Sequence, residues 1–399
     1  MGGAAIPDVN GRASRARKAA FLLFLLLLLL AVGIAFWIRS VRDRKWDALV
    51  SQVEQLSAEL EPRAPGLDYV RIVPSRPTEV IADKVHAYLQ GMTNASRADV
   101  EALASKYAES IDLLSRCARR SEAPTPARMA HDWQDSNALL LARARLLVEA
   151  GKIPESLEVF LDACVHAGDV AQSGVSAAGF TGHKMLLVTF RELRHLLQTR
   201  DIALQDLSAL DHRLQLLDEG FPGPGRDVEL NLLDLGKMLI SEDRDARTYH
   251  HIDGRLRRTW RSFFSSRLQA ASTFFEADRL VQRVLQARTL SWSEENRVLR
   301  DLGSEMMDAS DRLLVYSLPH SQVSRYAHQS KAALRLLRVA AHYRATGEVL
   351  ELEDPFGGKM QFAESKGSLR AWRQLQYGEP ALPQSSDYWT TAEIEVSRK

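Results

Sequence analysis

Residues 21–38 read FLLFLLLLLLAVGIAFWI, without one charged or amide side chain, and nothing else in the chain restricts its fold so sharply. As a helix rising ~1.5 Å per residue this run spans about 27 Å, close to the hydrocarbon thickness of a bilayer. It is predicted to be a transmembrane anchor, with Phe21, Leu30, Trp37 and Ile38 among the residues that meet lipid. Trp37, at the trailing edge, suits the headgroup boundary, where an indole buries its ring and keeps its N–H wet. Gly33 and Ala35 form a small-x-small pair and admit a second reading, a cleaved signal peptide. The apolar run exceeds the usual ~7–15-residue core of such a peptide, which favours the uncleaved anchor. Arg12, Arg15, Arg17 and Lys18 precede the run and Arg39, Arg42, Arg44 and Lys45 follow it, so the positive-inside rule is balanced. No second run of similar apolarity follows, which predicts a single-pass protein.

Beyond the anchor nearly every periodic segment is helical. Leu49, Val50, Val53, Leu56 and Leu60 share one face of a stalk helix. Pro62, Pro65, Pro74 and Pro77 mark a connector after it. Ser96 with Asp99 reads as a capping box opening a helix to about Arg120, and Ser291 with Glu294 as another. Further helices are predicted near 136–150, 154–167, 182–199, 204–219, 227–241, 255–288, 292–316 and 321–346, with strand-like alternation only after Asp354. The expected fold is all-α: a transmembrane helix, an array or bundle of antiparallel helical hairpins, and a small C-terminal β-hairpin. Its divisions are a cytoplasmic tail (1–20), the anchor (21–38), stalk and connector (39–95), helical body (96–350) and hairpin segment (351–399).

The stretch LLLARARLLVEAGKIPESLEVFLDACVHAG resembles a tetratricopeptide unit. Ala144, Gly151, Ser156, Phe160 and Ala163 stand where such repeats place small and aromatic packing residues. A helix pair joined by any Gly-containing turn has the same look, and no second copy follows. The region 137–245, and ALRLLRVAAHYRATGE running into Asp354-Pro355-Phe356-Gly357-Gly358-Lys359, resemble a family of membrane-anchored helical proteins of environmental bacteria such as planctomycetes and myxobacteria. That resemblance implies architecture and carries no activity. Asp354-Pro355-Phe356-Gly357 also resembles the turn near the C-terminus of major pseudopilins, which precedes a β-hairpin and a calcium loop. Here the hairpin would join Met360–Phe362 to Leu369–Tyr377. The loop that follows holds only Glu379 and Asp387, too few carboxylates for calcium, and the pseudopilin leader is missing. Since pseudopilin ends are exported, the likeness implies an N-terminus inside and a body in the periplasm, anchored in the inner membrane.

Chemistry-bearing patterns are sparse. The 399 residues hold 52 basic and 51 acidic side chains, a net charge of +1, which argues against a nucleic-acid partner. No His-Glu-x-x-His occurs; His250 and His251 are adjacent, and His166, His195 and His212 are scattered, so no metal site is expected. Gly174-Val-Ser176-Ala-Ala-Gly179 has the wrong spacing for a nucleophile elbow. No catalytic residue and no cofactor are assigned. Cys117 and Cys164 either form a disulfide, favoured in an oxidising compartment, or stay as two buried thiols. The helix near 255–288 opens with Arg255, Arg257, Arg258 and Arg261 around Trp260. It reads as an interaction helix for anionic headgroups or an acidic partner, with Arg255, Arg258, Trp260 and Arg261 as its candidates. Alternatively it is a core helix packed through Phe263, Phe264, Leu268, Ala271, Phe274 and Phe275. The expected function is a membrane-tethered helical scaffold that contacts another envelope protein. The alternative is an envelope hydrolase or lyase whose active site is assembled from distant residues.

Overall fold

The computed structural model describes residues 9–60, 81–92, 95–120, 130–172, 176–221, 226–244, 261–288, 290, 292–308, 321–365, 367–372 and 393–397. Among these the fold is all-α with a small C-terminal sheet, as the periodicity required.

The anchor and the stalk form one helix, α1 (Val9–Leu60). Nothing between Ile38 and Trp46 breaks it: the linking residues include neither Gly nor Pro, and Arg39 approaches Asp43 across one turn at 3.8 Å. The stretch expected to be connector holds a further helix, α2 (Ile81–Leu89). Its Ile81 and Val85 are fully buried. Asp135 accepts a hydrogen bond from the Ala82 N–H at 2.8 Å and so holds its N-terminus. That carboxylate lies 53 residues away, which is why local sequence gave little sign of the helix. Pro62, Pro65, Pro74 and Pro77 lie outside the described residues, as does Ser291 of the second expected capping box.

The Ser96 box forms as expected, with Asp99 N–H donating to Ser96 Oγ at 3.2 Å and Ser96 N–H donating to Asp99 Oδ2 at 2.9 Å. The helix it opens is interrupted at Tyr107 (φ −109°, ψ 23°), giving α3 (Arg97–Lys106) and α4 (Ala108–Arg120). Then come α5 (Ala130–Glu149), α6 (Ile153–Gln172), α7 (Ser176–Thr199), α8 (Leu204–Glu219) and α9 (Arg226–Arg244). After these come α10 (Arg261–Ala287), α11 (Trp292–Asp308) and α12 (Ser321–Thr346).

The chain divides into two compact units. The larger comprises Leu56–Asp234 and Ala277–Lys399. In it α6 lies between α5 and α7, and α12 packs on α7 and α8. The α5–α6 turn closes at Gly151 (φ +74°), with Lys152 N–H donating to Leu147 C=O at 2.9 Å and Gly151 N–H to Val148 C=O at 3.1 Å. Ser156 Oγ donates to Ala144 C=O at 2.9 Å, and Ala144, Phe160 and Ala163 are buried along the seam. Between α6 and α7 the contact is closer still: a Cβ on Gly182 would stand 2.3 Å from the Ala171 backbone nitrogen.

The C-terminal segment goes beyond the expected hairpin. Strands β1 (Gln361–Ser365), β2 (Ser368–Trp372) and β3 (Glu393–Ser397) make one antiparallel sheet in that order. Leu369 faces Val396 and Ala371 faces Ile394, and all four are buried on the side where β2 and β3 pack on α12. The third strand adds the second half of that apolar face.

The smaller unit comprises Met1–Gln55 and Leu235–Glu276. Within it Trp46, Leu49 and Val53 of α1 and Ala270, Ala271 and Phe274 of α10 are buried. Gly236 of α9 gives the room they need, since a Cβ there would stand 2.3 Å from Val53 Cγ2 and 2.8 Å from Phe274 Cε2.

Candidate functional site

Among the described residues one helix, the part of α1 from Phe21 onward, is long and apolar enough to cross a membrane. A leucine-rich helix packed on nothing exposes its whole circumference, and here Phe21, Leu30, Trp37 and Ile38 are 64%, 60%, 64% and 40% exposed. A signal sequence near an N-terminus has the same length and composition.

Of the predicted interaction residues, Arg255, Arg258 and Trp260 lie outside the described residues, and Arg261 is the first residue of α10. The apolar face of α10 is used for packing: Ala271 and Phe274 are fully buried, and Leu268 and Phe275 partly so. The Arg267 guanidinium lies over the Trp46 ring, 5.1 Å from its centroid.

A polar cluster in the larger unit joins α7, α11 and α12. Ser324 and His328 share one face of α12, four residues apart, and both meet Glu295 of α11. Glu295 is wholly buried; its Oε1 accepts a very short hydrogen bond from Ser324 Oγ, and His328 Nε2 lies 2.8 Å from Oε2. Beside them His183 Nδ1 lies 2.9 Å from Ser330 Oγ, which also donates to the Tyr326 carbonyl at 2.9 Å. Burial, with the nearby charges of Arg288 and His328, pushes the His183 pKa down to about 3, so the ring is neutral. The His328 ring stands against buried Phe356, centroids 5.5 Å apart. Phe356 lies in the Asp354–Gly357 turn, where Asp354 Oδ1 accepts from the Phe356 N–H at 2.9 Å and Gly357 N–H donates to the Asp354 carbonyl at 2.8 Å. A serine nucleophile needs its hydroxyl on the base, whereas here the carboxylate takes both partners. The arrangement is one that pins α11 to α12.

Other buried charges link helices in the same way. Asp218 of α8 accepts from Arg335 Nε at 3.2 Å and Arg338 Nη1 at 2.5 Å, both on α12. Arg119 of α4 meets buried Asp162 of α6 through two nitrogens, at 3.2 and 3.0 Å. Clefts among the described elements include one at Phe190, Leu337 and Ile394, between α7, α12 and β3, and one at Phe160, His195 and Arg200, each of about 10 Å³, room for about one water.

Cys117 and Cys164 are buried on α4 and α6 as two thiols, the second of the two readings. Burial in apolar surroundings raises the Cys164 thiol pKa far above its ordinary value. Ser176 begins α7, and no strand precedes it among the described residues.

The Glu295 cluster was missed by sequence reasoning. Its one local signal is the Ser324-x-x-x-His328 spacing, and the carboxylate arrives from another helix. No family model, curated protein or solved structure matches the chain.

Proposed function

We propose that this protein is a membrane-tethered helical scaffold, held in the inner membrane by Phe21–Ile38 with its body in the periplasm, that presents a helical surface to another envelope protein. The observation that carries the reading is the continuity of α1. One unbroken helix runs from the fully exposed apolar segment into Trp46, Leu49 and Val53, which are buried. A helix built this way ties the smaller unit, through its buried Trp46, Leu49 and Val53, to a bilayer without a Gly or Pro between Ile38 and Trp46. The helix pairs α5–α6 and α6–α7, closed by a short turn and by the close approach at Gly182, offer the broad rigid faces that helical scaffolds use for protein contact.

The experiment is crosslinking in native membranes, purification on a C-terminal tag and mass spectrometry. A reproducible, stoichiometric envelope partner is the expected result. Recovery of the bait alone, together with turnover of a small substrate by the purified chain, would contradict the scaffold.

A further inference from the structure

Two contacts set the direction of α10 within the smaller unit. Trp46 and Val53 lie two turns apart on α1. Arg267 stands over the Trp46 ring, and Phe274 shares with Val53 the space at Gly236. Arg267 and Phe274 are also two turns apart, in the same order, so α10 runs parallel to α1 here. Six residues back along each helix, Arg261 stands level with Ser40. Ser40 is two residues past Ile38, ~3 Å beyond the apolar run. The headgroup layer of a bilayer reaches roughly 5–7 Å past the hydrocarbon on each side. The first turn of α10, remote in sequence from the anchor, is thereby brought to headgroup height.

The charge just beyond the apolar run has one sign in excess. From Arg39 to Asp47, α1 carries Arg39, Arg42, Arg44 and Lys45 against Asp43 and Asp47. α10 adds Arg261 and Arg267, with no acidic residue before Glu276. The Arg39 side chain is 66% exposed, and Arg44 and Lys45 are exposed as well. We infer that Arg39, Arg44 and Lys45 of α1 form a collar that binds the headgroups of anionic phospholipids beside the first turn of α10. The inference rests on the membrane-tether reading. Phosphates of the leaflet on the body's side supply the complementary charge, and each cation at such a surface strengthens binding about fivefold. Binding there would hold the first turns of α10 against the bilayer and fix the smaller unit on the anchor.

The test uses the full-length chain in nanodiscs of phosphatidylcholine alone and of phosphatidylcholine with phosphatidylglycerol, reading backbone hydrogen exchange over residues 261–271. Exchange is expected to slow by about fivefold or more with phosphatidylglycerol. High salt, or the pair Arg44→Glu with Lys45→Glu, should each reduce that difference while the chain stays in the disc. Equal exchange in both lipid compositions, with the chain retained in both discs, would overturn the collar and leave the tether standing. A chain that fails to co-migrate with either disc would overturn the tether and the collar with it.

Discussion

His328 Nε2 lies 2.8 Å from Glu295 Oε2, and that carboxylate, wholly buried, also takes the Ser324 hydroxyl. Removing it takes this acceptor from the buried Ser324 hydroxyl and the half-buried His328 ring, both on α12. Glu295→Ala is expected to cost about 3 kcal/mol. Glu295→Gln should cost less, since its amide oxygen still accepts one of the two bonds. Denaturant unfolding of the full chain in detergent measures both, and a cost for Glu295→Ala near the ~0.5 kcal/mol of a surface substitution would contradict the role of the cluster.

Gly182 and Gly168 make a matched pair. A Cβ on Gly182 would meet the α6 backbone at 2.3 Å, whereas one on Gly168 meets nothing within 4 Å. Gly182→Ala should therefore push α6 and α7 apart and destabilise by roughly 2–3 kcal/mol. Gly168→Ala, at an open helical position, should stabilise by about 0.5–1 kcal/mol. The two signs, read from midpoints of the same unfolding experiment, must differ.

Acid should weaken the larger unit. Burial pushes the His166 pKa down to about 4 and burial, with Arg288 and His328, that of His183 down to about 3. Below their ordinary ~6.5 the unfolded chain takes up protons that the native state refuses. Stability thus falls from about pH 6.5 downward, by ~1.4 kcal/mol per pH unit for each histidine. Asp169 works the other way: burial raises its pKa to about 7, so its contribution is present in acid and lost as pH rises to that value. Two histidines outweigh one carboxyl, and midpoints measured between pH 4.5 and 7 should rise with pH. A flat or falling profile would show that these rings are not buried neutral.

The cysteines give a chemical check. Cys117 and Cys164 are 1% and 0% exposed and not bonded to each other. Iodoacetamide should leave both unlabelled in the folded chain and label both after denaturation without a reductant. Labelling that requires a reductant would restore the disulfide.

What the sequence made legible was periodicity and punctuation. Leu204–Glu219 and Ser321–Thr346 fall where their apolar spacing put them, and the Ser96 box formed because both its partners lie within one turn. Three of the misses share one cause, a partner far along the chain. α2 depends on Asp135, β3 on pairing with β2 across residues 373–392, and the Glu295 cluster on three separate helices. The break at Tyr107 fell inside a segment whose apolar spacing ran on without a Gly or Pro to mark it. At Gly236 a lone glycine inside a helical pattern marked a close approach that only the fold revealed.

The tether itself is tested most directly by washing membranes from the native host in alkaline carbonate and determining the intact mass of the chain that remains. The protein is expected in the washed pellet, with a mass that includes the residues before Gly33. A soluble chain shortened to begin just after Ala35 would contradict it, for the apolar segment would then be a signal removed on export and α1 would hold nothing to the membrane.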